Sequence, residues 1–132
     1  MDQMTQERPD TTGHPLILSS RVTGTPVFDR AGTRLGHVDD LSIEKVSGRT
    51  IYAIMSFGGF LRIGEKLHPL PWSLLDFDPD RGAFVVRLDK ATLEAAPHYD
   101  RYELGELGGP SHLTYGERIF GYYGPYGSVP YW

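Results

Sequence analysis

The sequence contains no cysteine, no basic excess and no long hydrophobic run. The lack of cysteine in 132 residues excludes disulfides, thiolate catalysis and zinc–sulfur sites, and indicates the reducing cytoplasm. The net charge of −4 argues against direct binding to nucleic acid, which depends on a basic surface. No apolar run approaches the roughly 20 residues of a transmembrane helix, and the N-terminus lacks the pattern of a signal peptide. Together these absences predict a cytoplasmic protein without direct membrane insertion.

Short strand-like segments separated by turn residues make up most of the chain. Residues 1–14 are polar and aperiodic, which predicts a disordered arm. Strand candidates follow at 16–20, 25–29, 33–38, 41–46, 50–57, 66–72 and 83–88. The stretch DRAG predicts a type I turn in one hairpin, and SGR predicts the turn of a second. Such spacing favours a small antiparallel barrel or sandwich.

The hydrophobic alternation changes phase within residues 35–46. Val38 falls on one parity, whereas Leu35, Leu41 and Ile43 fall on the other. A strand changes faces only with an extra residue, so this pattern predicts a β-bulge near Asp39–Asp40. Residues 51–57 are apolar on both parities, apart from a serine, which predicts a strand covered on both faces.

Two prolines predict an edge strand. Pro69 and Pro71 are two residues apart, so both missing N–H donors fall on the same side of their strand. We therefore expect this side to be an unpaired sheet edge.

The composition changes after residue 97. Before it, DKATLEAAP predicts a short helix over residues 89–97, capped by Asp89 and ended by Pro97. Beyond it, residues 97–132 hold seven of the eight tyrosines and seven glycines. This composition suggests neither a disordered acidic tail nor a regular helix, but a segment that could bury much surface in a groove.

Motifs for ligand chemistry are imperfect. Gly59 and Gly64 have the spacing of a phosphate-binding loop, but Glu65 stands where lysine is required, and prolines follow where a helix is required. The stretch DFDPDRG lacks the glycine position of a calcium loop and is better explained as a hairpin turn. A metal at His37, Asp39 and Asp40 remains a minor alternative to a solvated strand. With no nucleophile elbow either, we predict no catalytic, cofactor-binding or metal-binding residues.

Taken together, the motifs of residues 16–97 resemble the PRC-barrel domain. They comprise Gly24, the LG-V-DL pattern that begins at Leu35, and the SGR-IYA pattern of residues 47–53, followed by Gly58–Gly59, the IGEK of residues 63–66 and Pro71–Trp72. The ending YYGPYGSVPYW also resembles small stand-alone bacterial members. Arg62 departs from the family pattern, in which glycine is usual at this position.

The resemblance implies an all-β fold, a small antiparallel barrel of about six strands with one short helix. The domain would span residues 15–97, between the arm at 1–14 and an aromatic, Gly/Pro-rich extension at 98–132. The resemblance also implies that the glycines serve a tight barrel connection. Related domains occur in the photosynthetic reaction centre H subunit and in the small-subunit ribosome maturation factor, mostly as binding and assembly modules.

These expectations favour a non-enzymatic protein-interaction module, whose candidate partners are an unknown protein and a second copy of the chain in a homodimer. The alternatives are an accessory factor in ribosome or RNA maturation and an accessory of a photosynthetic or electron-transfer membrane complex. The candidate interaction surface comprises Arg62, Pro69, Pro71, Tyr122, Tyr123, Tyr126 and Trp132. Whether the aromatic segment packs on its own barrel or on another chain is left open by the sequence.

Overall fold

A computed structural model describes residues 14–57 and 66–132. Within these ranges the protein is mostly β, with several short helices around one sheet. Strands and α-helices follow in the order α1 Ser19–Val22, β1 Pro26–Asp29, β2 Arg34–Ile43, β3 Thr50–Ser56, β4 Leu67–Pro71, β5 Asp76–Asp78, β6 Ala83–Val86, α2 Lys90–Glu94, α3 Arg101–Glu106 and α4 His112–Tyr123. Two 3₁₀ turns, Trp72–Leu74 and Gly124–Tyr126, complete the described elements.

The six strands form one sheet in the order β4-β3-β2-β1-β6-β5. All neighbours are antiparallel except β1 and β6, which run parallel. The predicted barrel is therefore corrected in two respects, because the described sheet is not wholly antiparallel and its end strands β4 and β5 do not close on each other. β5 and β6 form a hairpin, and β6 then pairs with β1 rather than with β4. The β1–β6 pair is the parallel one.

The predicted hairpins and bulge are confirmed. In the β1–β2 turn, Gly32 donates its N–H to the carbonyl of Asp29 at 3.1 Å and has a φ of +88°, a conformation that favours glycine. The register between β2 and β3 shifts between Val38 and Asp40, which is the position predicted for the bulge. The bulge lets β2 present apolar residues to the core on both sides of the shift.

β3 is covered on both faces, as its sequence predicted. Every residue from Ile51 to Ser56 is buried, and β2 and β4 pair with its two edges. Gly36 of β2 lies so close to β3 that a Cβ there would overlap the carbonyl oxygen of Ser56. The close contact between β2 and β3 therefore requires glycine at this position.

Two strand predictions are wrong. Residues 16–20 form no strand: Leu16–Leu18 lie outside any element and Ser19 begins α1. No described strand pairs with this segment, and the core receives Val22 from the last turn of α1. Conversely, β5 lies inside the stretch that we predicted as a connecting loop. The strand was missed because it has only three residues, which is too short for a hydrophobic alternation to be detected.

The predicted helix over residues 89–97 is present as α2, although it ends at Glu94 before Pro97. The expectation that the segment after residue 97 is not a regular helix is wrong, because α4 spans 12 residues. Asp89 caps α2, where its side chain accepts a hydrogen bond from the Thr92 N–H at 2.8 Å. The expectation of one short helix is wrong, because α1, α3 and α4 are also present. In α4 the buried residues Gly116, Ile119, Phe120 and Tyr123 recur at helical spacing, a signal that the aromatic composition obscured.

Candidate interaction surface

The β4 edge is closed by the chain itself. β4 is an end strand, as its prolines predicted, with Pro69 opposite Ile54 in β3. The outer side of β4 is not free, however, because Leu67 and Tyr99 exchange two backbone hydrogen bonds of 2.9 Å. α4 also packs against β4. This edge is therefore not available to another strand in the described structure.

Aromatic rings anchor the segment that follows α4. Phe120 of α4 contacts the rings of Tyr52, Tyr131 and Trp132 at centroid distances of 5.6, 5.8 and 5.6 Å. Gly116 leaves room for the Trp132 ring, since a Cβ there would lie 2.7 Å from it. The aromatic segment thus packs on α4 and β3 of its own chain.

Polar contacts hold the same segment in place. Arg49, which follows the β2–β3 turn, donates a hydrogen bond to the carbonyl oxygen of Tyr131 at 3.1 Å. The Nδ1 atom of His112 lies 2.6 Å from the Tyr131 hydroxyl, within hydrogen-bonding distance. Burial raises the pKa of Tyr131, so this hydroxyl stays protonated at neutral pH.

The predicted interaction residues fall into different environments. Pro69, Pro71 and Tyr123 are fully buried, so their assignment to an exposed surface is corrected. They are buried because α4 and the residues around Tyr99 cover β4. Arg62 lies outside the described residues, as do the glycine-loop assignments at residues 58–65.

The remaining three predicted residues retain access to solvent. Tyr122 is half-buried, and its hydroxyl donates a hydrogen bond to the carbonyl of Thr92 at 2.7 Å. Tyr126 is 47% exposed, and its ring centroid lies 6.4 Å from that of Tyr122 with the two rings tilted. Trp132 is 53% exposed and lies on the Phe120 side of α4. The tyrosines are brought together, whereas Trp132 belongs to the separate cluster at Phe120.

A different apolar surface lies at the opposite end of the sheet. We call it the β5 patch and define it as Leu16, Ile17, Leu18, Phe77 and Pro79. These residues line a groove of about 290 Å³, with His14, Arg21 and Gly82 also on its wall. Leu16 is 84% exposed, and Ile17, Leu18 and Phe77 are also exposed. Four large apolar side chains therefore face water within one groove.

The β5 patch adjoins an open sheet edge. β5 pairs with β6 on one side, and no described residue pairs with its other side. This contrasts with β4, whose outer side is bonded to Tyr99. The unpaired backbone groups of an edge strand can accept another strand.

Two long ion pairs lie at the open edge of β5. Asp76 lies 3.8 Å from Arg87, and Asp78 lies 3.7 Å from Arg81. These long, solvent-accessible ion pairs contribute little stability. On the groove wall, Arg21 makes no ion pair with any residue that the structure describes.

Sequence reasoning missed this surface for a simple reason. The apolar triplet Leu16–Leu18 was assigned to a strand, and Phe77 was assigned to a loop. The alternation of Asp76, Phe77 and Asp78 was the available signal for β5. It is only three residues long, and sequence alone cannot place it beside Leu16–Leu18.

His68 is the most perturbed histidine. It is 2% exposed and lies between the rings of Phe57 and His98, at 4.7 and 5.2 Å. Its Nδ1 has no hydrogen-bond partner among the described residues. Burial, with smaller effects from His98 and Lys66, lowers the pKa of His68 to about 4. The ring is therefore neutral at physiological pH.

The described metal-ligating side chains are dispersed over the structure. No group of three or more metal-ligating side chains occurs within residues 14–57 and 66–132. In the cluster considered above, Asp39 accepts a hydrogen bond from Arg101 at 3.1 Å. Across the same ranges, no helix combines the length and apolar character needed to cross a bilayer.

Comparison with known proteins places this small, open β-domain in a family. The model of the PRC-barrel domain matches residues 15–93, which is more than half of the chain. The chain therefore belongs to the PRC-barrel domain family, which confirms the resemblance seen in its motifs.

Solved structures provide a more distant likeness. One is the crystal structure of a putative 16S ribosomal RNA processing protein, RimM, from Pseudomonas aeruginosa. It is 22% identical, with a TM-score of 0.36, over 64% of this chain and 50% of that protein. The match thus spans half of that protein's length. No curated protein matches the sequence.

Proposed function

We propose that this protein is a non-enzymatic protein-binding module of the cytoplasm that contacts its partner through the β5 patch. The observation that carries the proposal is the exposure of Leu16, Ile17, Leu18 and Phe77 in one groove. Each Å² of apolar surface left in water costs about 25 cal/mol relative to its burial. Contiguous apolar patches on monomeric proteins commonly mark interaction sites.

The position of the patch supports binding rather than core formation. Leu16–Leu18 precede α1, whose Val22 already fills the core, so the triplet is not needed there. Phe77 contacts Phe84 of the neighbouring strand at 5.3 Å, which holds its ring in place beside the groove. A side chain that is already held in place binds at a lower entropic cost than a mobile one.

The test is an affinity capture of the tagged full-length protein from its own cells, after nuclease treatment, with two matched variants. Ile17→Asp places a charge in the patch. Val46→Asp places the same charge at a residue that is 99% exposed in the β2–β3 turn. We expect wild type and Val46→Asp to recover the same partner, and Ile17→Asp to recover at least about tenfold less of it.

Thermal unfolding would show that both variants remain folded. Equal recovery of the same partner by all three proteins would refute the β5 patch as the binding surface. Recovery of the bait alone would count against the interaction module itself.

The identity of the partner would separate the finer roles. An accessory role in ribosome maturation predicts ribosomal proteins, whereas an accessory role at an electron-transfer complex predicts membrane-complex subunits. In either case the aspartates of β5 would be complemented by a basic segment of the partner.

A further inference from the structure

The two end strands of the sheet differ in the backbone hydrogen-bonding groups on their outer sides. At β4, Pro69 and Pro71 remove two donors, and Tyr99 occupies the backbone groups of Leu67. At β5, none of the three residues is a proline, and none of the described residues pairs with the outer side. β5 is thus the end of the sheet at which a strand could be added.

The two faces of β5 offer different chemistry. Side chains alternate along a strand, so Asp76 and Asp78 share one face and Phe77 points to the other. The face of Phe77 is shared with Phe84 and borders the groove of the β5 patch. An added strand would therefore meet two carboxylates on one face and an apolar groove on the other.

A second copy of this chain does not complement that edge. If two β5 strands paired antiparallel about Phe77, each Asp76 would lie opposite the Asp78 of the partner strand. Like charges directly opposite each other destabilise a strand pair. Arg81 and Arg87 offset this only weakly, since their ion pairs are long and exposed to solvent.

From these observations we propose that β5 binds an extended segment of another protein by strand addition, and that this segment alternates basic and apolar residues. Its basic side chains lie opposite Asp76 and Asp78, and its apolar side chain enters the groove beside Phe77. This inference rests on the proposed function and specifies the class of partner that the β5 patch takes.

Arg21 adds a constraint on the same partner. Arg21 lies on the groove wall and makes no ion pair in the described part of the chain. A basic residue on the apolar face of the added strand would be repelled there. The partner strand must therefore carry its positive charges on one face only, which strict alternation provides.

The experiment uses the full-length protein and two fluorescent peptides of identical composition. In the first peptide, the order is threonine, lysine, isoleucine, lysine, valine and threonine, so that the two lysines lie on the same face of the strand. In the second, the lysines are adjacent. We expect anisotropy titrations to show the alternating peptide binding at least about tenfold more tightly. Amide exchange at β5 should also slow when that peptide binds, because strand addition protects backbone N–H groups.

Variants test the two faces separately. Asp76→Asn combined with Asp78→Asn keeps the side-chain shape and removes the charge, and should weaken the alternating peptide about tenfold and reduce its salt dependence. Ile17→Asp should weaken binding of the alternating peptide, because it places a charge in the apolar groove. Val46→Asp should leave the affinity unchanged.

Several outcomes would overturn the inference. Equal binding of both peptides without protection of β5 would indicate simple charge attraction. A concentration-dependent dimer that Ile17→Asp abolishes would identify a second copy as the occupant. No binding of either peptide would also reject strand addition. If Ile17→Asp still lost the captured cellular partner in that case, the proposed function would stand and only the class of partner would be wrong.

Discussion

At the scale of single residues, His68 illustrates how burial changes the chemistry of a side chain. Its ring is enclosed by Phe57 and His98 in the described structure, and its pKa falls to about 4 from an ordinary value of 6.5. Between these two values the unfolded chain binds a proton that the folded chain excludes. The contribution of His68 to folding stability is therefore fully present above pH 6.5 and is lost as the pH falls towards 4.

We expect His68→Leu to remove most of this pH dependence. Wild type should lose up to about 3 kcal/mol of unfolding free energy between pH 6.5 and 4 from His68 alone. Urea titrations at several pH values would measure it. His14→Gln, at an exposed histidine, is the control and should retain the wild-type slope. A slope that persists unchanged in His68→Leu would show that other groups cause it.

At the scale of elements, α4 shows how one helix serves two purposes. Its buried stripe packs on the sheet, and the gap at Gly116 holds the Trp132 ring. Gly121 of the same helix has open space where a Cβ would lie. Packing against Trp132 therefore requires glycine at position 116 but not at position 121, although both glycines lower the helix propensity of α4.

The same substitution should have different effects at these two positions. Gly121→Ala should raise the unfolding free energy by about 0.5–1 kcal/mol, because alanine favours the helix. Gly116→Ala should displace the Trp132 ring, which would cancel this gain and change the near-ultraviolet circular dichroism. An unchanged spectrum for Gly116→Ala, with the same stabilisation as Gly121→Ala, would contradict the packing of Trp132 on α4.

At the scale of the whole molecule, the family-matched region and the residues after it share one core. Ile119, Phe120 and Tyr123 of α4 belong to the same buried cluster as Val27 and Val38 of the sheet. Tyr99 also bonds to the backbone of β4. The residues after 97 therefore complete the core and the β4 edge of the described structure.

A chain ending at residue 97 should not retain the native stability. It would expose the surfaces that Ile119, Phe120 and Tyr123 cover, each worth about 1.5–3 kcal/mol on burial. The sum approaches the total stability of a small domain. We expect the shortened chain to aggregate or to lose its cooperative thermal transition. A monomeric, cooperatively folding product would show that the residues after 97 are dispensable.

Local signals predicted the local features of this protein well. Turn residues identified the hairpins, the change in hydrophobic parity located the bulge at Asp39–Asp40, and Asp89 marked the start of α2. The prolines of β4 identified its place at an end of the sheet. The family motifs then predicted the PRC-barrel domain, because these local features occur together at characteristic spacings.

What depends on contacts between distant segments was decided only by the tertiary structure. The sequence by itself determined the turns, the bulge, the helix cap and the mainly β character, because each depends on neighbouring residues. Only folding brought Tyr99 to β4, β6 into parallel pairing with β1, and Leu16–Leu18 beside Phe77. Consequently, the prolines marked an edge strand but not that α4 covers it, and the open edge at β5 emerged from packing rather than from any motif.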